Sequence, residues 1–191
     1  MDQQTLKQKV AEAALARVAA SNNDQLLLGI GTGTTAECFI HLLPALKSRV
    51  EATVASSKRS ASLLTELGLP VADLNSVGPL AVDVDGADEA NSHLHLMKGG
   101  GAALTREKIV AAAAREFICI ADASKKVSVL GVFPLPVEVI PMARSQVARA
   151  LAALGGQPVW REGVITDNHN LILDVHGMVI EDPLAMETRI N

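Results

Sequence analysis

DVDGADEANSHLHLMKGGGAALTREK, residues 83–108, decides how the rest of this chain reads. Asp83, Asp85, Asp88 and Glu89 crowd together, Lys98 and the glycines 99–101 follow, and Glu107 closes the stretch. Apolar residues lead into it (Leu80, Ala81, Val82) and out of it (Ile109, Val110), so these charges are set on buried flanks. A short apolar run ending in aspartates predicts a buried strand whose carboxyl end opens into a cleft, where open α/β sheets place their ligands. Gly99, Gly100 and Gly101 let the backbone turn tightly and approach a ligand without Cβ interference. Glu107 falls early in a predicted helix, 102–115. The expectation is that Asp85, Asp88, Lys98 and Glu107 converge on one small polar substrate.

Outward from that stretch, the pattern repeats. Residues 3–20 carry Leu6, Val10, Ala14 or Leu15, and Val18 at helical spacing. QLLLGI, residues 25–30, predicts a short buried strand, followed by Gly31-Thr32-Gly33-Thr34-Thr35 and a helix over 36–46. Strand, Gly/Thr loop and helix N-terminus form a phosphate-binding arrangement, with backbone N–H groups and the positive dipole end facing the anion. No Gly-Lys-Ser/Thr follows, so this is not a P-loop, and the glycine spacing is wrong for the dinucleotide fingerprint. A tight turn with a threonine cap is the plainer alternative.

EATVASS, residues 51–57, predicts the next strand, and a helix over 58–67 stops at Gly68. Ser56 and Ser57 have no nucleophile elbow around them, and read as cleft-edge hydroxyls or a helix cap. Strands are expected at 71–74, 80–85, 93–97 and 117–121. Strands alternating with helices predict an α/β fold: a doubly wound, mainly parallel sheet with helices on both faces. The proline-rich FPLP at 133–136, with Pro141, marks a composition shift, and a boundary is expected near residue 130. Domain 1–130 carries the phosphate loop and active site. Domain 131–191 is a small α+β domain with an antiparallel sheet, built from strands near 137–140, 159–160 and 171–175 and helices over 143–154 and from 183.

Composition narrows the function classes. With 191 residues, about 70% of the unfolded surface can be buried, and no staple is required. Aromatics are 2% against 49% apolar residues, so Ala, Val, Leu and Ile build the core, as suits a parallel sheet. The same scarcity removes the stacking platforms that hold single-stranded nucleic acid. Net charge is −4 with no basic stripe, which argues against a phosphate-backbone partner. Cys38 and Cys119 lie apart in apolar runs and read as buried thiols. No run approaches the ~18 apolar residues of a membrane span, and no signal peptide opens the chain. A cytoplasmic protein with no nucleic-acid or membrane partner is expected.

Rivals for the acidic loop fail on register. A calcium loop with Gly86 sixth would put Ser92 where a bidentate glutamate belongs. A haloacid-dehalogenase-like phosphatase carries a DxDGT-type motif near its N-terminus, whereas here Asp83-Val-Asp-Gly-Ala87 lies mid-chain and lacks the hydroxyl. His93 and His95 alternate as strand residues would, and with His41, His169 and His176 form no cluster of metal spacing. No metal or cofactor is expected.

Taken together, the motifs resemble ribose-5-phosphate isomerase of the A type. The pieces are Gly29-Ile-Gly-Thr-Gly-Thr-Thr35, Ser56-Ser57, Val84-Asp-Gly-Ala-Asp-Glu89, Lys98-Gly-Gly-Gly-Ala-Ala-Leu-Thr-Arg-Glu-Lys108 and Ala121-Asp-Ala-Ser-Lys125. The second domain adds Phe133-Pro-Leu-Pro-Val-Glu-Val-Ile-Pro-Met-Ala-Arg144, Thr166-Asp-Asn168 and Leu173-Asp-Val-His-Gly177. The likeness runs through nearly the whole chain, in order.

It implies reversible isomerisation of ribose 5-phosphate and ribulose 5-phosphate, in the non-oxidative pentose phosphate pathway, without metal or organic cofactor. Glu107 would be the general base, with Asp85 and Lys98 as catalytic partners. Thr32, Gly33, Thr34 and Thr35, Asp85, Gly86, Ala87 and Asp88, Lys98 with Gly99, Gly100 and Gly101, and Lys125 match the family's substrate-binding positions. Lys7 is a candidate to reach the phosphate. The neighbouring acids are expected to raise the pKa of Glu107. A homodimer or tetramer is implied by the likeness alone. Family members continue beyond the equivalent of Asn191 with a tail returning to the first domain, whereas this sequence stops inside its closing helix, and a missing tail is the expectation. A sugar-phosphate-sensing repressor domain would share the Gly/Thr loop without the base, and a sugar-phosphate deaminase would want a catalytic histidine.

Overall fold

The computed structural model describes residues 2–190. By compactness the chain forms two units, 1–86 with 105–122, and 87–104 with 123–191. The chain therefore leaves the first unit after Gly86, returns at Thr105, and leaves again after Asp122. Its last crossing lies a few residues before the composition shift near residue 130.

The first unit is a four-stranded parallel sheet, order β2-β1-β3-β6, flanked by helices. Its elements are α1 (Gln3–Ala19), β1 (Leu26–Ile30), α2 (Thr34–Leu42), β2 (Val50–Ala55), α3 (Lys58–Glu66), β3 (Leu80–Gly86), α4 (Leu104–Ala112) and β6 (Ala114–Ile120). Strand side chains alternate between faces. On one face Leu26, Leu28, Ile30, Val82 and Val84 bury against Ala11, Ala14 and Val18 of α1, Phe39 and Ile40 of α2 and Leu64 of α3. On the other, Val110 of α4 packs with Val54 and Leu27. At roughly 1.5–3 kcal/mol for each large side chain fully buried, these two layers hold the sheet together without any aromatic stacking.

The second unit contains a hairpin-like pair, β4 (Glu89–Ala90) with β5 (Leu96–Met97), and a three-stranded antiparallel sheet, order β7-β9-β8. The sheet strands are β7 (Leu135–Val139), β8 (Gln157–Trp160) and β9 (Leu171–His176), with α5 (Arg144–Ala153) and α6 (Pro183–Ile190). Met97 of β5 is buried in the same apolar cluster as Val139, Leu151, Leu173 and Val175, which is why residues 87–104 count with this unit.

Three elements differ from expectation, each for a local reason. Val71 makes only an isolated bridge to Thr53, and the Asp73 side chain, accepting from the Asn75 N–H at 2.8 Å, turns residues 74–76 into a 3-10 turn. The expected strand at 93–97 shrinks to Leu96–Met97 because Asn91 Oδ1 accepts the N–H groups of both His93 and His95 at 3.0 Å, and Leu94 adopts φ 63°. The helix bearing Glu107 starts at Leu104, since Ala102 has φ 62°, and gives way by Ala114 to β6. No described helix is long and apolar enough to cross a membrane.

Candidate active site

The carboxyl ends of β1 and β3 position the candidate residues of the first unit. Their register pairs Gly29 with Asp83 and Ile30 with Val84, and the Gly31 N–H continues it onto Val84 O at 2.9 Å. Asp83 and Asp85 then project from β3 against the glycines of β1. A Cβ at Gly29 would lie 2.6 Å from Asp83 Oδ1, and one at Gly31 only 1.8 Å from Asp85 Oδ1. These glycines give two buried carboxylates room, a function that the loop's resemblance to a phosphate cradle hid. Asp85 is fully buried, and its Oδ1 accepts the N–H groups of Thr32 at 3.1 Å and Gly86 at 2.6 Å.

Glu107 sits on the same face of the sheet. The absent Gly29 Cβ would lie 2.7 Å from Val110 Cγ1 as well as against Asp83, so α4 covers β1 and β3 there. Glu107 is one turn earlier on that helical face, displaced about 4.5 Å along the axis. As the crossover returning to parallel β6, α4 runs against the strands, so the displacement is towards the end of β3 that carries Asp85. Glu107 is only 4% exposed, so it is not a solvated helix-start carboxylate.

The Gly/Thr loop bends into α2 at Gly33, whose φ of 103° and ψ of 170° are open only to glycine at low cost. Gly33 makes no side-chain cap, and α2 begins at Thr34. Lys7 of α1 donates from Nζ to Thr34 Oγ1 at 2.7 Å, which puts its cation beside the helix start. Thr32 Oγ1 meets Ser56 Oγ at 2.8 Å, and Ser60 Oγ donates to Gly31 O at 2.7 Å. The two serines thus divide the roles left open by their sequence: Ser56 braces the loop, while Ser57 caps α3 by accepting from the Ser60 N–H. Glu37, in the first turn of α2, is held below the usual glutamate pKa chiefly by its hydrogen bond from Arg59. That partner neutralises the acidic side chain in the first turn of α2.

Ala87, Asp88, Lys98, Gly99, Gly100, Gly101 and Lys125 belong to the second unit. Asp88 Oδ2 accepts the Gly100 N–H at 2.8 Å, and a Cβ on Gly100 would lie 2.4 Å from Asp88 Oδ1. Gly99 has φ 110°, and a Cβ there would lie 3.0 Å from the Pro136 ring. Lys98, half-buried, directly follows β5, and Lys125 ends a 3-10 turn at 123–125. Two further residues hold this region together: Glu89, part of the acidic motif but given no role there, and Arg161, which carried no sequence signal. Buried Glu89 accepts the N–H groups of Gly131 at 2.8 Å and Phe133 at 2.5 Å. Arg161 joins Asp174 to the glycine turn. His93 and His95 stand with ring centroids 6.1 Å apart, and among the described residues no group of three His, Cys, Asp or Glu side chains is arranged to hold a metal ion.

A family model, ribose 5-phosphate isomerase A (phosphoriboisomerase A), matches residues 52–191. Among solved structures, ribose 5 phosphate isomerase A from Neisseria gonorrhoeae superposes with a TM-score of 0.94 at 49% identity, over 100% of this chain and 83% of that one. The Methanocaldococcus jannaschii ribose 5-phosphate isomerase A gives 0.91 at 40% identity, over 100% of this chain and 87% of that one. A D-ribose-5-phosphate isomerase in complex with phospho-erythronic acid gives 0.91 at 37% identity, over 98% and 85% of the two chains. Matched over most of its length by the family model, and over nearly all of it by these structures, the chain belongs to the ribose 5-phosphate isomerase A family.

Proposed function

We propose that this protein interconverts ribose 5-phosphate and ribulose 5-phosphate, with Glu107 as the base that moves the proton between C2 and C1. The observation that carries the assignment is the setting of Glu107: a carboxylate 4% exposed, one helical turn from the Val110 contact and displaced towards Asp85. A base must be held still and partly dry to take a proton from carbon and return it, and a positioned carboxylate contributes on the order of 10²–10⁴-fold.

In the forward direction Glu107 removes the proton from C2 of the open-chain aldose. The C2–H electron pair becomes the C1–C2 double bond, and the carbonyl pair moves onto O1. Lys98 stabilises the negative charge on the enediolate oxygens, which supplies much of the remaining acceleration. Asp85, together with Asp88, relays the proton from O2 to O1 and assists ring opening. Glu107 then returns its proton to C1 as O2 becomes the ketone. Thr32, Gly33, Thr34 and Thr35 bind the phosphate from the start of α2, with Lys7 and Lys125 as its cationic partners. Phospho-erythronic acid, held by the related isomerase, is a phosphorylated sugar acid whose carboxylate mimics the enediolate, which supports a site of this chemistry here. Homo-oligomerisation and a cytoplasmic setting are parts of the same proposal and rest on the family likeness.

The test is a coupled assay of purified protein with ribose 5-phosphate in the presence of a chelator, on wild type and Glu107→Gln. Wild type turns over, and the variant binds ribose 5-phosphate with little change while kcat falls by on the order of 10³-fold or more. Wild-type turnover in Glu107→Gln would refute the assignment of the base.

A further inference from the structure

The glycine segment after Lys98 forms a β-turn closed by the Ala102 N–H on Gly99 O at 3.1 Å, with Gly100 and Gly101 at its centre. The middle peptide of such a turn, here Gly100–Gly101, is the one that differs between turn types I and II, by a flip of about 180°. Side chains usually bias that choice, and two adjacent glycines impose none. Something else in the fold has to select the orientation.

Arg161, which directly follows β8, is placed to do so. Its Nη1 donates to Gly100 O at 3.1 Å and, more weakly, to Gly99 O at 3.4 Å. Its other edge is locked on Asp174 of β9, Nε to Oδ2 at 2.8 Å and Nη2 to Oδ1 at 2.5 Å. The bidentate pair fixes the plane of the guanidinium, with both side chains less than one-fifth exposed. Hydrogen bonding by Asp174, with Asp88 nearby, raises its pKa, so it stays charged throughout the working range. On the preceding peptide the Gly100 N–H is anchored by Asp88.

We propose that Arg161 is a positioning residue of the isomerase: by gripping the Gly100 carbonyl it sets the orientation of the Gly100–Gly101 peptide, and so aims the Gly101 N–H at the oxygen that becomes anionic in the enediolate. In a trans peptide the N–H points opposite to the C=O, so a cation on one end dictates the direction of the other. The same cation polarises the peptide and strengthens its N–H as a donor. The inference rests on the isomerase reading above and adds the part that presents one backbone donor. Misplacing a group at a reacting centre by about 1 Å costs on the order of 10²-fold.

The experiment compares wild type, Arg161→Lys and Arg161→Ala by circular dichroism, steady-state kinetics on ribose 5-phosphate, and competitive inhibition by phospho-erythronic acid and by inorganic phosphate. Lysine keeps the charge but not the planar fork, so kcat falls on the order of 10²-fold with KM nearly unchanged. Inhibition by phospho-erythronic acid, whose carboxylate stands in for the enediolate, weakens in parallel, whereas inhibition by inorganic phosphate is unaltered. Guanidinium ion added at millimolar concentration restores part of the Arg161→Ala loss, which a merely structural role would not allow. Full kcat in Arg161→Lys overturns the proposal, as does a loss shared equally by both inhibitors. Wild type without turnover would instead remove the isomerase reading itself.

Discussion

Replacing Gly31 by alanine would build a methyl group into the Asp85 side chain. The new carbon would lie 1.8 Å from Oδ1, 2.0 Å from Cγ and 2.4 Å from Cβ of Asp85. A rotation of the carboxylate relieves the first two overlaps but not the third, because Cβ is fixed to the backbone of β3. The strands must therefore part. Overpacking of this kind costs about 1–3 kcal/mol. Parting them also weakens the Gly31 N–H bond to Val84 O and the Thr32 N–H bond to Asp85, at about 1 kcal/mol each. The sum is on the order of 3–5 kcal/mol, a large share of a domain's 5–15 kcal/mol. Urea unfolding followed by circular dichroism measures it as a fall in midpoint with the slope unchanged. The decisive comparison is a double-mutant cycle with Asp85→Gly, which removes the three atoms nearest the methyl group. In that background Gly31→Ala should cost under about 1 kcal/mol, a coupling of at least 2 kcal/mol between residues in contact. Additive effects would refute the claim that Gly31 exists to admit the carboxylate. Gly33→Ala is the control: nothing lies within 4 Å of its Cβ, so only its backbone conformation resists, at about 1–3 kcal/mol, with no coupling to Asp85.

Other perturbations follow from the same geometry. Glu89→Ala orphans the N–H groups of Gly131 and Phe133 at a site 3% exposed, and should cost about 2–4 kcal/mol by thermal or urea unfolding. Glu37→Gln probes the ion pair with Arg59. The pKa of Glu37 is depressed in the folded state, so its stabilisation is present above the ordinary glutamate pKa and is lost as pH falls through the lower folded value. Because Arg59 is largely exposed, the effect is small: the variant should be slightly less stable than wild type at pH 7, and the difference should close as pH falls through the lowered folded value, read from urea midpoints over an acid pH series.

Much of the first unit is legible because its signals are local. LLLGI followed by a glycine–threonine loop announces a buried strand feeding a helix, and the run after Ser57 that stops at Gly68 announces α3, whatever lies elsewhere in the chain. Where expectation and structure part, a side chain has outbid the pattern: Asn91 draws His93 and His95 into a turn although their alternation with Leu94 and Leu96 is that of a strand.

What sequence alone does not carry is anything that depends on register between distant strands. Gly29 reads as a strand residue and Gly31 as a loop glycine until the pairing of Gly29 with Asp83 sets each of them against an aspartate. Arg161 is silent for the same reason: it stands next to Glu162, an ordinary exposed charge, and acquires meaning only when β8 pairs with β9 and brings Asp174 beside it. The two cases share a cause. Residues proposed to touch substrate, such as Asp85, Lys98 and Glu107, must have particular chemistry and therefore leave a motif. Residues that make room for them or hold their backbone need only a size or a charge at the right place, and a lone glycine or arginine matches many positions in any chain. The supporting shell of this site is therefore the part that mutagenesis guided by motifs alone would miss, and the Gly31–Asp85 cycle and the Arg161 variants are aimed at it.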